Sequence, residues 1–155
     1  MNEEELVEAL DRLEADRGAW APHVRHDPQQ RIFTRMSLSD ELECWLICWM
    51  PGHDTGFHDH DLSSGVVRVL DGAVREQRLT LHGESEGQVL GAGEAFAFGP
   101  SDIHRVTHAG DVPTVTLHAY SPPLRRMGAY VVQESGTLAR HPLAPGEELR
   151  HRAAV

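Results

Sequence analysis

The sequence predicts an all-β fold, a sandwich or barrel of short antiparallel strands preceded by one helix, and three observations carry that reading. Short β-rich runs alternate with Gly and Pro corners at even spacing from residue 31 onward. The run Cys44-Trp45-Leu46-Ile47-Cys48-Trp49-Met50 is apolar nearly throughout, as expected of a strand buried on both faces. Before these, Leu6, Val7, Leu10 and Leu13 recur at helical spacing among acids and bases.

Taken in order, Glu3–Arg17 forms an amphipathic helix that Asp16-Arg17-Gly18 ends, and Trp20-Ala21-Pro22 opens an irregular connection through Pro28. Strands are expected over Arg31–Met36 and Glu43–Met50, then over His58–Leu70 as a single run closed by Asp71-Gly72. Further strands fall at Arg75–Leu81, Gly87–Leu90, Glu94–Phe98, His104–His108, Thr114–Tyr120 and Gly128–Gln133. The division is a helical segment over 1–20 packed on the barrel, the barrel domain over 21–141, and a polar, Arg-rich tail over 142–155.

A chain of 155 residues can bury one substantial core, and its net charge of −10 argues against a nucleic-acid or anionic-membrane surface. No apolar run reaches the length of a membrane span, and the acidic start Met1-Asn2-Glu3-Glu4-Glu5 is unlike a signal peptide. Cys44 and Cys48 share one strand and cannot easily bridge, so they read as buried thiols in a reducing cytoplasm, with a CxxxC metal site as the sharper alternative. A monomer or weak homo-oligomer is expected. All 14 basic residues are Arg, which says nothing about mechanism.

The chemistry lies among the histidines. His23, His26, His53, His82, His141 and His151 sit beside turn or tail residues and read as solvated. His58 and His60 are two apart in a strand, so both imidazoles leave one face. Gly52, His58, His60 and the later Gly72 match the first motif of the cupins, and Glu94–His104 resembles the second, in which a Gly/Pro corner feeds the strand carrying the last histidine. The fold implied is the double-stranded β-helix, or jelly-roll barrel. The cupin motif normally places a Glu four or five residues after its second His. Here those positions hold Ser64 and Gly65, so the site becomes three neutral imidazoles: His58, His60 and His104. Such a site leaves a divalent ion its full charge and open positions, which suits Fe(II), while Zn(II) competes on donor chemistry alone.

Phe33-Thr34-Arg35, Leu46-Ile47-Cys48-Trp49, His58-Asp59-His60, Ile103-His104-Arg105-Val106 and Thr116–Pro123 together resemble the thiol dioxygenases of the cysteine dioxygenase type, in particular bacterial members, over about residues 32 to 130. The resemblance implies an Fe(II) enzyme that joins O₂ to the sulfur of a small thiol, most simply L-cysteine. It implies His58, His60 and His104 as metal ligands, Arg35 as the grip on the substrate carboxylate, and Thr116, His118 and Tyr120 as a relay ending in a phenol at the reactants. The alternatives are the same chemistry on 3-mercaptopropionate or another thiol acid, and a non-catalytic metal-binding cupin serving as a ligand sensor or storage-like module. Ser121-Pro122 matches a position where the family has a cis proline. Mammalian members carry a cysteine that cross-links to the relay tyrosine where Gly65 stands here, so no thioether can form. Phe33 replaces a Tyr of some members, Asp61-Leu62 follows the HDH triplet where Gly is common, and His108 takes the place of a usual Asn, as either a pocket-edge or a surface group.

Overall fold

The computed structural model describes residues 1–80, 83–144 and 147, so the expectations for His82, His151 and most of the tail lie outside the described residues. Helix α1 spans Glu3–Ala15 and begins at a capping box: the Asn2 side chain accepts from the Glu5 amide at 2.9 Å, and the Glu5 carboxylate accepts from the Asn2 amide at 2.8 Å. Three glutamates in the first turn suit the positive end of the helix dipole. Asp16 ends α1 and starts a short second helix, α2 (Arg17–Trp20), by accepting the Ala19 amide, so helical structure resumes where the sequence predicts only a stop.

Among the described residues twelve strands follow: β1 (Ile32–Leu38), β2 (Glu43–Trp49), β3 (His58–Asp59), β4 (Ser64–Asp71), β5 (Ala73–Thr80), β6 (Gly83–Glu84), β7 (Gln88–Gly91), β8 (Ala95–Phe98), β9 (His104–His108), β10 (Thr114–Ser121), β11 (Met127–Val132) and β12 (Leu138–Leu143). One sheet runs β1-β2-β10-β4-β8, the other β12-β11-β3-β9-β5-β6 with β7 on β5, all antiparallel. The result is the cupin barrel.

Two corrections concern the frame of the site. The single strand expected over His58–Leu70 is two, broken at Asp61, whose φ of 54° takes the chain out of the extended region. The break is held by the Asp61 amide on the Asp59 carboxylate and by the Ser63 amide on the His60 carbonyl. At the C-terminal end, β12 pairs along the whole of β11 and runs across the expected boundary at residue 142.

The five-stranded sheet is covered on both faces, which explains why β2 shows no polar alternation. On one face Cys44, Leu46, Cys48, Val115, Leu117 and Ala119 pack under α1, where Leu6 and Leu10 are fully buried. Burying each of those two leucines is worth about 1.5–3 kcal/mol. Cys44 and Cys48 are free, buried thiols, as expected. On the other face Ile47, Trp49, Val67 and Val69 meet Val74 and Val106 of the opposite sheet. The site opens within that inner core.

Candidate metal centre and its surroundings

His58 and His104 are direct cross-strand partners on β3 and β9, which puts two imidazoles side by side in one sheet. His60 lies just past β3, yet its ring joins them: the three ring centroids are 4.7–5.0 Å apart. One ligand atom from each residue falls within 4.8 Å of the others, and all three residues are buried. Asp61, by contrast, turns toward Arg126 at 3.6 Å, and the described residues give the cluster no carboxylate member.

The ring nitrogens are those of a metal site. His58 Nδ1 lies 3.0 Å from the Gly56 carbonyl, which takes the ring proton and leaves Nε2 with its lone pair. His60 Nδ1 and both nitrogens of His104 are buried without a hydrogen-bond partner. Unpartnered polar atoms in a protein core are costly; a divalent ion would satisfy the one lone-pair nitrogen that each neutral ring offers, leaving the His104 Nδ1 proton to face Glu76. Burial above all holds His58 and His60 well below the ordinary imidazole range, with the neighbouring imidazoles adding to the effect. His104 is lowered by burial too, with Glu76 opposing, since its carboxylate Oε1 stands 3.6 Å from His104 Nδ1. Neutral imidazoles are the form a metal requires.

Around this cluster the sequence hid several supports. Glu76 is buried and fixed by Arg78 Nε at 2.7 Å and Gln88 Nε2 at 3.2 Å. Asp59, between the two histidines of the triplet, receives Arg140 Nε at 2.6 Å, Arg140 Nη2 at 2.8 Å and the Tyr130 hydroxyl at 2.7 Å. The Arg140 guanidinium crosses Gly128 so closely that a Cβ there would lie 2.2 Å from Nε. Ahead of His58, a two-pronged Arg105–Asp54 pair and the Asp54 bond to the Gly56 amide shape the loop that offers the Gly56 carbonyl. His53 belongs to the same loop. It is buried, and its Nδ1 accepts the Met50 amide at 3.0 Å, so the expectation of a solvated histidine fails there. Only the alternation of polar residues with glycines hinted at such partners, and many sequence-distant pairs would have fitted it equally well.

Across the barrel, β10 supplies the opposite wall. Thr116, His118 and Tyr120 all face inward and form a chain: Thr116 Oγ1 to His118 Nε2 at 2.8 Å, and His118 Nδ1 to the Tyr120 hydroxyl at 3.1 Å. The chain extends one step further than expected, because Trp49 Nε1 donates to Thr116 Oγ1 at 2.9 Å. Indole can only donate, so Thr116 accepts from Trp49, while its own proton has two acceptors within reach, His118 Nε2 at 2.8 Å and the Ile47 carbonyl at 3.4 Å. With the proton on the shorter contact, His118 Nδ1–H donates to the phenol oxygen; with it on Ile47, the chain runs the other way. Burial chiefly, then the charges of His104 and Arg31, lowers His118 to about 3, which keeps the ring in the neutral form either direction needs. Tyr120 lies against His60, with centroids 5.4 Å apart.

A small cavity of about 20 Å³ joins these two walls, lined by the three histidines, His118, Tyr120, Trp49 and, unexpectedly, Arg31. Arg35 lines a separate cavity at the sheet edge, with its guanidinium over Trp45 and 3.7 Å from Glu43 and its side chain 51% exposed. Gly65 is the cross-strand partner of Tyr120, and Phe98 fills the space beside it: a Cβ at Gly65 would meet Phe98 Cζ at 2.3 Å. The Ser121-Pro122 peptide is cis. His108, the last residue of β9, points across the following turn to the Val112 carbonyl at 2.7 Å and is not among the cavity residues. Thr114, at the start of β10, ties β10 to Ala73.

Comparison with known proteins agrees with this geometry. The family model described as cysteine dioxygenase type I matches residues 1–133. The human protein named cysteine dioxygenase type 1 is 27% identical over 143 residues, spanning 84% of this chain and 70% of that protein. Its zebrafish counterpart is 28% identical over 139 residues, spanning 81% and 68%. Among solved structures, a protein with a double-stranded β-helix domain from Klebsiella pneumoniae superposes with a TM-score of 0.58 at 15% identity, covering 77% of this chain and 91% of that one. A cupin superfamily protein from Desulfitobacterium hafniense gives 0.56 at 13% identity, covering 68% and 89%. These structural likenesses show the fold alone.

Proposed function

The chain belongs to the cysteine dioxygenase type I family, and on that premise we propose that it is an Fe(II)-dependent thiol dioxygenase converting L-cysteine to cysteine sulfinate. The observation that carries the reading is the sharing of one cavity by three buried, neutral histidines and the chain from Trp49 to Tyr120. A module that only binds metal has no need of such a chain.

The reaction balances without a further reductant: RSH + O₂ → RSO₂H, with sulfur oxidised by four electrons, O₂ reduced by the same four, and both oxygen atoms ending on sulfur. Fe(II), when bound, would supply the redox chemistry that lets O₂ react with sulfur. His58, His60 and His104 would hold it, with the Gly56 carbonyl and Glu76 orienting two of the rings. Burial of the cavity excludes bulk water and strengthens every polar contact inside it. Tyr120 places its hydroxyl toward the reacting atoms, where negative charge develops, and Trp49, Thr116 and His118 hold that hydroxyl in position. Two free buried thiols suit a reducing cytoplasm, and among the described residues no helix is long and apolar enough to cross a membrane.

A second substrate, 3-mercaptopropionate, stays in view because Arg35, which the resemblance implies as the grip on the substrate carboxylate, lines a separate cavity, and nothing else described picks out the amine of L-cysteine. Protein purified without oxygen should hold iron near equimolar amounts, consume O₂ with L-cysteine faster than with 3-mercaptopropionate, and yield the sulfinate by mass spectrometry. The reverse preference moves the substrate assignment. A zinc-loaded protein that stays inert after iron reconstitution sinks the dioxygenase and leaves a binding module.

A further inference from the structure

The three candidate ligands differ in what stands behind them. His58 Nδ1 meets the neutral Gly56 carbonyl, His60 Nδ1 has no hydrogen-bond partner among the described residues, and His104 Nδ1 faces a carboxylate, Glu76 Oε1 at 3.6 Å. None of the described residues lining the metal cavity is Asp or Glu, so the cavity itself offers an ion no anionic side chain. The strand register explains the contact behind His104. Arg78 is its direct partner across β5 and β9, and Glu76, two residues earlier on the same face, is the diagonal neighbour. Glu76 is only 2% exposed and is held by Arg78 Nε at 2.7 Å and Gln88 Nε2 at 3.2 Å. Arg78 directs its other nitrogens at Asp102 Oδ2, 3.0 Å away, and at the Ala97 carbonyl, 2.5 Å away. One guanidinium thus serves two carboxylates, and the group Glu76, Arg78 and Asp102 keeps one net negative charge. Arg78 and Asp102 reach water, whereas Glu76 does not, so its charge is the least screened of the three.

We propose that Glu76 supplies, through His104, the anionic charge that the all-histidine ligand set lacks, and so sets how far the centre favours the higher oxidation state of its iron. This rests on the iron centre of the dioxygenase reading. Glu76 is not among the cavity residues and acts as a positioning residue. At 3.6 Å the contact is longer than a hydrogen bond, and its effect is that of a buried charge facing the ring N–H in a low-dielectric setting. A carboxylate so placed fixes the tautomer of a ligating imidazole and raises the basicity of its other nitrogen. Negative charge behind a ligand also stabilises a trivalent ion more than a divalent one, because the attraction scales with the ion's charge. The other carboxylates near the cluster, Asp54 and Asp59, turn instead to Arg105 and Arg140.

The test compares iron-loaded wild type, Glu76→Gln and Arg78→Gln as full chains without substrate. Spectroelectrochemistry reads the ferric/ferrous midpoint potential, and competition with a chelator in the absence of oxygen reads ferrous affinity. Glu76→Gln keeps the size of the side chain and removes its charge. It should weaken Fe(II) binding about 10- to 100-fold. Its potential should rise by about 59 mV or more, which is a tenfold greater loss of ferric than of ferrous affinity for a one-electron couple. Arg78→Gln strips Glu76 of its counter-charge and should move the potential the opposite way, downward. A merely structural role for the pair gives no reason for shifts of opposite sign. An unchanged potential in either variant, or shifts of one sign in both, overturns the assignment. If Glu76→Gln does not fold, Arg78→Gln decides: a lowered potential upholds the role of Glu76 and a raised one overturns it. Wild type whose iron cycles between both states but consumes no oxygen with L-cysteine or 3-mercaptopropionate refutes the dioxygenase reading alone, and the potentials still judge Glu76. Wild type that holds no iron refutes the role of Glu76 together with the centre it serves.

Discussion

Replacing Asp59 with Asn isolates the support behind the metal ligands without touching a ligand. The carboxylate accepts two hydrogen bonds from Arg140, at 2.6 and 2.8 Å, one from the Tyr130 hydroxyl at 2.7 Å, and the Asp61 amide at 3.1 Å. An amide offers one acceptor oxygen and no charge, so the forked pair and at least one other bond are lost. Breaking a fully buried ion pair by removing one partner costs about 3–5 kcal/mol. Here Asp59 is 9% exposed but Arg140 is 37% exposed, so the stranded guanidinium regains water and the expected cost falls to about 2 kcal/mol. For a chain of 155 residues that lowers Tm by roughly 4–8 °C. Because Asp59 sits between His58 and His60, metal affinity should also drop, about tenfold, the usual effect of losing a partner behind the ligands. Thermal melts and a metal titration measure the two. A cycle with Arg140→Gln supplies the internal check, with an expected coupling of about 1 kcal/mol or more. Additive losses, or an unchanged Tm and metal affinity in Asp59→Asn, would refute the reasoning.

Gly65→Ala should lower stability by about 1–3 kcal/mol in thermal melts, because its Cβ meets Phe98 and, at 2.9 Å, the backbone oxygen of Ala119, which cannot yield as a side chain can. Thr116→Val strands the Trp49 and His118 nitrogens in the core, so a loss of about 1–3 kcal/mol should accompany a kcat reduced about tenfold with KM little changed. Asp54 is partly buried, which alone would raise it, but its bonds from Arg105 and the Gly56 amide outweigh that and hold it below its ordinary value. Its stabilisation is therefore full above the unfolded carboxyl pKa, about 4, and is lost as pH falls through the lower folded value. The Tm gap between wild type and Asp54→Asn, read at pH 7 and pH 3, should narrow at pH 3; a constant gap would contradict that.

Part of the histidine cluster was legible in short-range periodicity, since His58 and His60 are two apart, as was the shared face of Thr116, His118 and Tyr120, which alternate along one strand. His104 was legible only through the likeness of Glu94–His104 to the second cupin motif. The buried strand β2 was legible for a different reason, since a sheet covered by a helix on one side and a core on the other leaves it no polar face to mark. Asp61 interrupted the predicted strand without signalling it, because Asp tolerates a left-handed backbone and looks unremarkable in a polar loop.

Tertiary structure alone decided which charges act on the site. Arg31 and Arg35 lie four residues apart on one inward-facing row, and nothing local distinguishes them; the strand carries one into the metal cavity and the other to Glu43 at the sheet edge. Likewise Glu76 behind His104, Trp49 at the head of the relay and Arg140 on Asp59 meet their partners across 28, 67 and 81 residues of chain. The sequence by itself determined the run of short strands, the common side of His58 and His60 and the shared face of Thr116, His118 and Tyr120, because backbone periodicity is a local property. Where each buried charge found its counterpart depended on how two sheets close over one core, and that is a long-range property no short motif records.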